Sequence, residues 1–134
     1  MKTFYIASSS AEPKRLRVSQ LAKALHQKFG WKWQNGYDWT VGFQEECNYP
    51  RHELVYRATM DLLGARDCDV FIFLEGDERS LGANREYGFR WGQQRKMIYR
   101  VSNEREHLFD MLDNVATVET DEELMILLLE RETL

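Results

Sequence analysis

Asp69-Val70-Phe71-Ile72-Phe73-Leu74 is the stretch on which the fold turns. It is short, continuous, β-branched and aromatic, the pattern of a strand covered on both faces. Strands of that kind belong to parallel sheets flanked by helices, so helical periods are expected on either side. Upstream, from about Pro50 to Leu63, the period is helical, with Leu54, Val55, Ala58 and Leu62 as expected core residues. Downstream, a polar loop from Glu75 to Ser80 leads to Leu81-Gly82-Ala83-Asn84 and a helix through about Gln94. Nearer the amino terminus, Thr3 to Ala7 is a second buried strand ending in Ser8-Ser9-Ser10. Pro13 suits the first turn of a helix to about Phe29, with Val18, Leu21, Ala22, Leu25 and Phe29 on one face and Gly30 as its stop. Trp31-Lys32-Trp33 reads as a short strand, Lys96 to Val101 as a fourth, and Val115 to Val118 as a fifth. Asn103 to Leu112 reads as helical. Asp121 to Arg131 is expected as the last helix, with Thr120 as N-cap and Glu123 completing a capping box.

Strands alternating with helices imply right-handed crossovers and a parallel sheet. The expected architecture is a single α/β domain over 1–134. It is flavodoxin-like or Rossmann-like, with five parallel strands in the order 2-1-3-4-5 and helices on both faces. In that order the winding reverses between strands 1 and 3, and ligands bind in the crevice there. The loops facing it are Ser8–Pro13 and Glu75–Asn84. Asp69 is expected at the strand entrance or on the opposite side of the sheet.

Composition narrows the function. With 134 residues, 43% hydrophobic and 30% charged, the chain can bury a core and is not disordered. A net charge of −4 argues against nucleic acid as a partner. Cys47 and Cys68 form no CxxC and have no His at ligand spacing, so free thiols in a reducing compartment are expected, with no metal and no cofactor. No apolar run approaches a membrane span, and the amino-terminal residues do not read as a signal peptide, so the expected location is the cytoplasm.

Four groups of residues bear chemistry. Ser8, Ser9 and Ser10 with Lys14, Arg15 and Arg17 lie where strand 1 meets a helix, either an anion site or a solvated polar cap. In Ser80-Leu81-Gly82-Ala83-Asn84-Arg85-Glu86-Tyr87-Gly88, Gly82 lets the backbone approach a ligand. Glu86, early in its helix, is stabilised as an anion, a nucleophile or electrostatic stabiliser on one reading and a surface Glu on the other. Asp61, late in its helix, should hold a proton more tightly and suits a general acid, or it is a plain exposed acid. Tyr5, Trp31, Trp33, Tyr37, Trp39 and Phe43 could stack on a base or fill the core; Tyr5 stands apart at the switch point, where its hydroxyl can reach a ligand. His26, His52 and His107 have no triad-like company and read as structural or exposed.

Taken together these elements resemble the nucleoside 2-deoxyribosyltransferase family, including its branch of 2′-deoxynucleoside 5′-phosphate N-hydrolases. The resemblance rests on Lys2-Thr3-Phe4-Tyr5-Ile6-Ala7-Ser8, on Asp61 eight residues before Asp69-Val70-Phe71-Ile72, and on the G-x-x-x-E-x-G of Gly82, Glu86 and Gly88. It runs from the start to about Val101. It implies a small-molecule nucleoside or nucleotide substrate and a retaining displacement at the anomeric carbon, with Glu86 as nucleophile, Asp61 as acid and Tyr5 orienting. In the transferases an acidic residue six positions before the nucleophile holds the sugar's 5′-hydroxyl; here that position is Ser80. Ser80, with Ser8, Ser9 and Arg15 or Arg17, could hold a 5′-phosphate, unless Asp77 or Glu78 supplies the missing acid. The resemblance also implies a homo-oligomer, for which the leucine-rich tail from Glu122 offers apolar surface. Two other readings use the same fold: a nucleotide-sensing module without turnover, and a TIR-like NAD-cleaving domain with a catalytic Glu.

Overall fold

The computed structural model describes residues 1–8, 12–34, 48–75, 81–93, 96–104 and 107–133, with backbone alone at 12, 13 and 81. Among them the strands are β1 (Thr3–Ala7), β2 (Lys32–Trp33), β3 (Val70–Leu74), β4 (Ile98–Val101) and β5 (Val115–Val118). All neighbours are parallel, in the order β2-β1-β3-β4-β5. The helices are α1 (Glu12–Phe29), α2 (Arg51–Asp67), α3 (Leu81–Trp91) and α4 (Asp121–Glu132), with a 3₁₀ turn at Leu108–Met111. The expected strand order is therefore present, and the switch lies between β1 and β3.

Strand alternation sorts the core into two layers. On one face Phe4, Ile6, Val70, Ile72, Leu74, Tyr99 and Val101 meet Val18, Leu21, Ala22 and Leu25 of α1 and Leu124 and Leu128 of α4. On the other, Tyr5, Ala7, Phe71, Phe73 and Ile98 meet Ala65 of α2, Cys68 and Ala83 of α3. β3 is buried at every position, as its sequence requires. Gly30 ends α1 at φ 74°, a left-handed conformation that favours glycine. At the amino ends of β1 and β3 Asp69 Oδ2 accepts from the Thr3 N–H at 2.8 Å. No helix among the described residues is long and apolar enough to cross a membrane.

Three expectations are corrected. The apolar residues proposed as the core face of α2 do not form one: Leu54 is half-buried, Ala58 is exposed, and Val55 and Leu62 are 54% and 36% exposed. The buried residues of this helix are Gly64 and Ala65, small enough to bring its carboxyl end close to the sheet. The helix expected over Asn103 to Leu112 is, in its described part, only the turn at Leu108–Met111. Asp110 is drawn inward, Leu108, Phe109 and Met111 stay exposed, and no apolar stripe is buried to support a longer helix. At α4 the Thr120 hydroxyl accepts from the Glu123 N–H at 3.1 Å as expected. The Glu123 carboxylate, however, reaches the N–H of Glu119, one residue before the position a capping box uses.

Candidate active site

Tyr5, Asp61 and Glu86 come together from three separate elements. Tyr5 points from β1 toward the α2–α3 face because Phe4 and Ile6 take the opposite face. Its ring lies between Trp33, at 5.2 Å and 30°, and Phe71, stacked at 6.1 Å and 4°. The Tyr5 hydroxyl is hydrogen-bonded to both Glu86 and Asp61. Asp61 comes from the middle of α2 and Glu86 from the second turn of α3. Glu86 is half-buried, and its Oε2 is shielded from solvent with no hydrogen-bond partner among the described residues. One carboxylate oxygen thus lacks a partner at a buried place, an arrangement that is unfavourable unless something else uses it.

The electrostatics reverse the expectation that a helix start would favour the Glu86 anion. Burial, and then the negative charge of Asp61, push the Glu86 carboxyl up to about 8, against a smaller downward pull from the Tyr5 hydrogen bond. The macrodipole fades within the first turn, whereas Glu86 stands in the second, beside a like charge. The Tyr5 phenol is also raised well above its ordinary value, by burial first and then by Glu86 and Asp61. The consequence for stability has a definite sign. Unfolded, Glu86 loses its proton near its ordinary 4.5; folded, it keeps it to about 8. The folded chain binds more protons in that window, so this group's contribution falls as pH rises from about 4.5 to about 8 and then levels off. The slope is at most about 1.4 kcal/mol per pH unit. Urea unfolding of wild type and Glu86→Gln should therefore diverge steadily across this range, the variant gaining with pH. Parallel curves would put the Glu86 carboxyl in water.

The other expected residues divide. Ser8, directly after β1, has a buried Oγ without a hydrogen-bond partner among the described residues. Arg15 is half-buried on α1. Arg17 is engaged elsewhere: its Nη2 donates to Asp121 Oδ1 at 2.7 Å and its Nε to Asp121 Oδ2 at 3.3 Å, tying α1 to the start of α4. Gly82 lies in the first turn of α3, and a Cβ there would meet nothing within 4 Å. Ser9, Ser80 and Trp39 lie outside the described residues, as do Asp77, Glu78 and Cys47. Cys68 is a buried free thiol. No group of three or more His, Cys, Asp and Glu among the described residues could hold a metal ion.

Two features escape the sequence reading. Trp33, weighed only within an aromatic set, is the ring that covers Tyr5. The second is a buried ionic network next to α3. Arg100 of β4, with a side chain 0% exposed, pairs through Nε and Nη2 with Glu75, and its Nε lies 3.5 Å from Asp110 Oδ2. The Tyr87 hydroxyl donates to Asp110 Oδ1 at 2.8 Å. An arginine inside Ile98-Tyr99-Arg100-Val101, otherwise an apolar strand, was the available signal. A cavity of about 480 Å³ opens beyond β4 and β5, lined by Ser102, Asn103, Glu104, Thr117, Val118, Glu119 and Glu123. Its lining includes none of Tyr5, Asp61 and Glu86, and three carboxylates make it a poor place for a phosphate.

No protein-family model matches the chain, and no curated protein matches it by sequence. Solved structures do match its fold. A CMP N-glycosidase of Clostridium botulinum, BcmB, aligns over 95% of this chain and 98% of its own, with a TM-score of 0.65 and 21% identity. A 2-deoxyribosyltransferase of Bacillus psychrosaccharolyticus aligns over 91% of this chain and 89% of its own, with a TM-score of 0.65 and 18% identity. The five-stranded parallel sheet with helices on both faces is common to all three.

Proposed function

We propose that the protein breaks, or transfers across, the N-glycosidic bond of a nucleoside or its 5′-monophosphate, with Glu86 as nucleophile. The carrying observation is the convergence of Tyr5, Asp61 and Glu86, with Glu86 Oε2 buried and unpartnered. The activities of the two fold neighbours, a CMP N-glycosidase and a 2-deoxyribosyltransferase, support the same bond. In the reaction, a Glu86 carboxylate oxygen attacks the anomeric carbon as the carbon–nitrogen bond breaks. The bonding pair leaves with the base. The one proton that Glu86 and Asp61 share, held on Glu86 beside the ionised Asp61 before substrate binds, passes to Asp61 as Glu86 attacks and from Asp61 to the departing base. The resulting glycosyl ester is opened by water for hydrolysis, or by a second base for transfer. The Tyr5 hydroxyl holds Glu86 and Asp61 in register.

The 5′-phosphate preference rests on Ser80 together with Ser8, Ser9 and Arg15; Arg17 is the weaker candidate because Asp121 holds it. Trp39 is assigned to the base. Ser80→Asp should lower kcat/KM for 5′-monophosphates roughly ten-fold or more and spare nucleosides, since a carboxylate repels a phosphate. An unchanged ratio of the two substrates would remove the phosphate assignment. A homo-oligomer is part of the proposal: the tail buries Leu124 and Leu128 in its own core but leaves Ile126 and Leu129 59% and 47% exposed. A cytoplasmic enzyme acting on free nucleotides completes the reading.

The deciding experiment incubates the protein with nucleosides, their 5′-monophosphates and NAD, and measures free base by chromatography. Base from deoxynucleosides or nucleotides supports the proposal. Nicotinamide from NAD alone would favour the TIR-like reading, and tight binding without release would favour a sensing module.

A further inference from the structure

Arg100 is the largest side chain fully buried in the described structure. A guanidinium in that position is unfavourable unless ion pairs and hydrogen bonds satisfy it. Here they come from Glu75, Asp110 and the Glu104 carbonyl, which accepts from Nη2 at 3.4 Å, while Nη1 has no partner among the described residues. Glu75, the residue directly after β3, pairs with its Nε and Nη2. Asp110 faces its Nε and, through the other oxygen, accepts from Tyr87 of α3. Asp110 is itself held by the His107 N–H at 3.0 Å. The Tyr87 ring packs edge-on against Phe73 at 4.9 Å, and Phe73 is the direct β3 neighbour of Arg100. One buried cation therefore ties Glu75, directly after β3, to Asp110, and through Asp110 to Tyr87 in the second turn of α3. Successive helical residues are about 100° apart, so fixing Tyr87 fixes the direction of Glu86 beside it.

We propose that Arg100, with Glu75, Asp110 and Tyr87, is a positioning clasp that sets the rotation of α3 and so aims Glu86 at the reacting carbon. The proposal rests on the function proposed above. Its physical motive is that a displacement of about 1 Å at a nucleophile can lower turnover about 100-fold.

The informative variants are conservative. Tyr87→Phe keeps the ring on Phe73 and removes one hydroxyl; Asp110→Asn keeps the shape of the turn. Each should lower kcat about 10- to 100-fold with KM changed less than about two-fold, because binding groups are untouched. The double variant should be no slower than Asp110→Asn alone, since both cut one link. Arg100→Lys, which retains charge without the fork, should retain part of the rate that Arg100→Met loses. A readout independent of turnover is the titration of the Glu86 carboxyl by carbon-13 NMR, assigned by its loss in Glu86→Gln. In Tyr87→Phe its midpoint should drop from about 8 toward 4.5 as the group leaves its buried place beside Asp61. Unchanged kcat and midpoint in Tyr87→Phe, with only a lower Tm, overturns the clasp. If wild type releases no base from any substrate, the proposed function fails, and the midpoint alone decides the clasp.

Discussion

Glu86→Gln should lower base release roughly 10³- to 10⁶-fold, the range seen when a covalent nucleophile is lost and only binding and polarisation are left. Gln has the shape of protonated Glu and can keep a hydrogen bond to the Tyr5 hydroxyl, so the variant should fold at least as well as wild type. Above about pH 8 it should be the more stable of the two, because it never carries the buried charge that Glu86 acquires there. A fall in rate with no fall in stability separates chemistry from folding. The same experiment should show a sugar-sized mass increase on wild-type protein quenched during turnover, and none on Glu86→Gln. A variant within ten-fold of wild type would end the assignment of this carboxylate as nucleophile.

Asp61→Asn should be the next largest loss, about 10²- to 10⁴-fold, the usual span for removing a general acid. The size of the effect should depend on the leaving group. Bases that depart easily as anions need the proton least and should lose least, whereas poor leaving groups should lose the full amount. The variant should also move the pH profile in a direction fixed by charge. Asp61 is the second cause of the raised Glu86 proton affinity, after burial, so removing its charge lets Glu86 ionise at lower pH. The limb of kcat/KM that reports the nucleophile should shift below its wild-type position near pH 8. An equal loss for every leaving group, with that limb unmoved, would leave Asp61 a structural residue.

Much of the candidate site was legible because its parts are local patterns. Tyr5 stands in a short apolar run near the amino terminus, Thr3 to Ala7, and Glu86 follows Gly82 early in a helix. Asp61 lies a fixed distance before the strand at Asp69-Val70. What these residues do to one another was not legible. The helix dipole by itself favours an ionised Glu86, yet burial and Asp61 outweigh it, since desolvation is larger than a partial charge one turn away. The basic cluster at Lys14, Arg15 and Arg17 read as a unit, but Arg17 is paired with Asp121, 104 residues further along the chain.

By itself the sequence determined the α/β alternation, the parallel sheet and its order. Those follow from hydrophobic period and from loop signals, which act over a few residues. Tertiary structure alone decided which face of α2 is buried, the shortness of the turn at Leu108–Met111, the partner of Arg17, and the Arg100 network. The physical reason is range. Burial and ion pairing depend on groups that meet only after the chain has closed, as Tyr87 meets Asp110 across 23 residues, and no local pattern records the meeting.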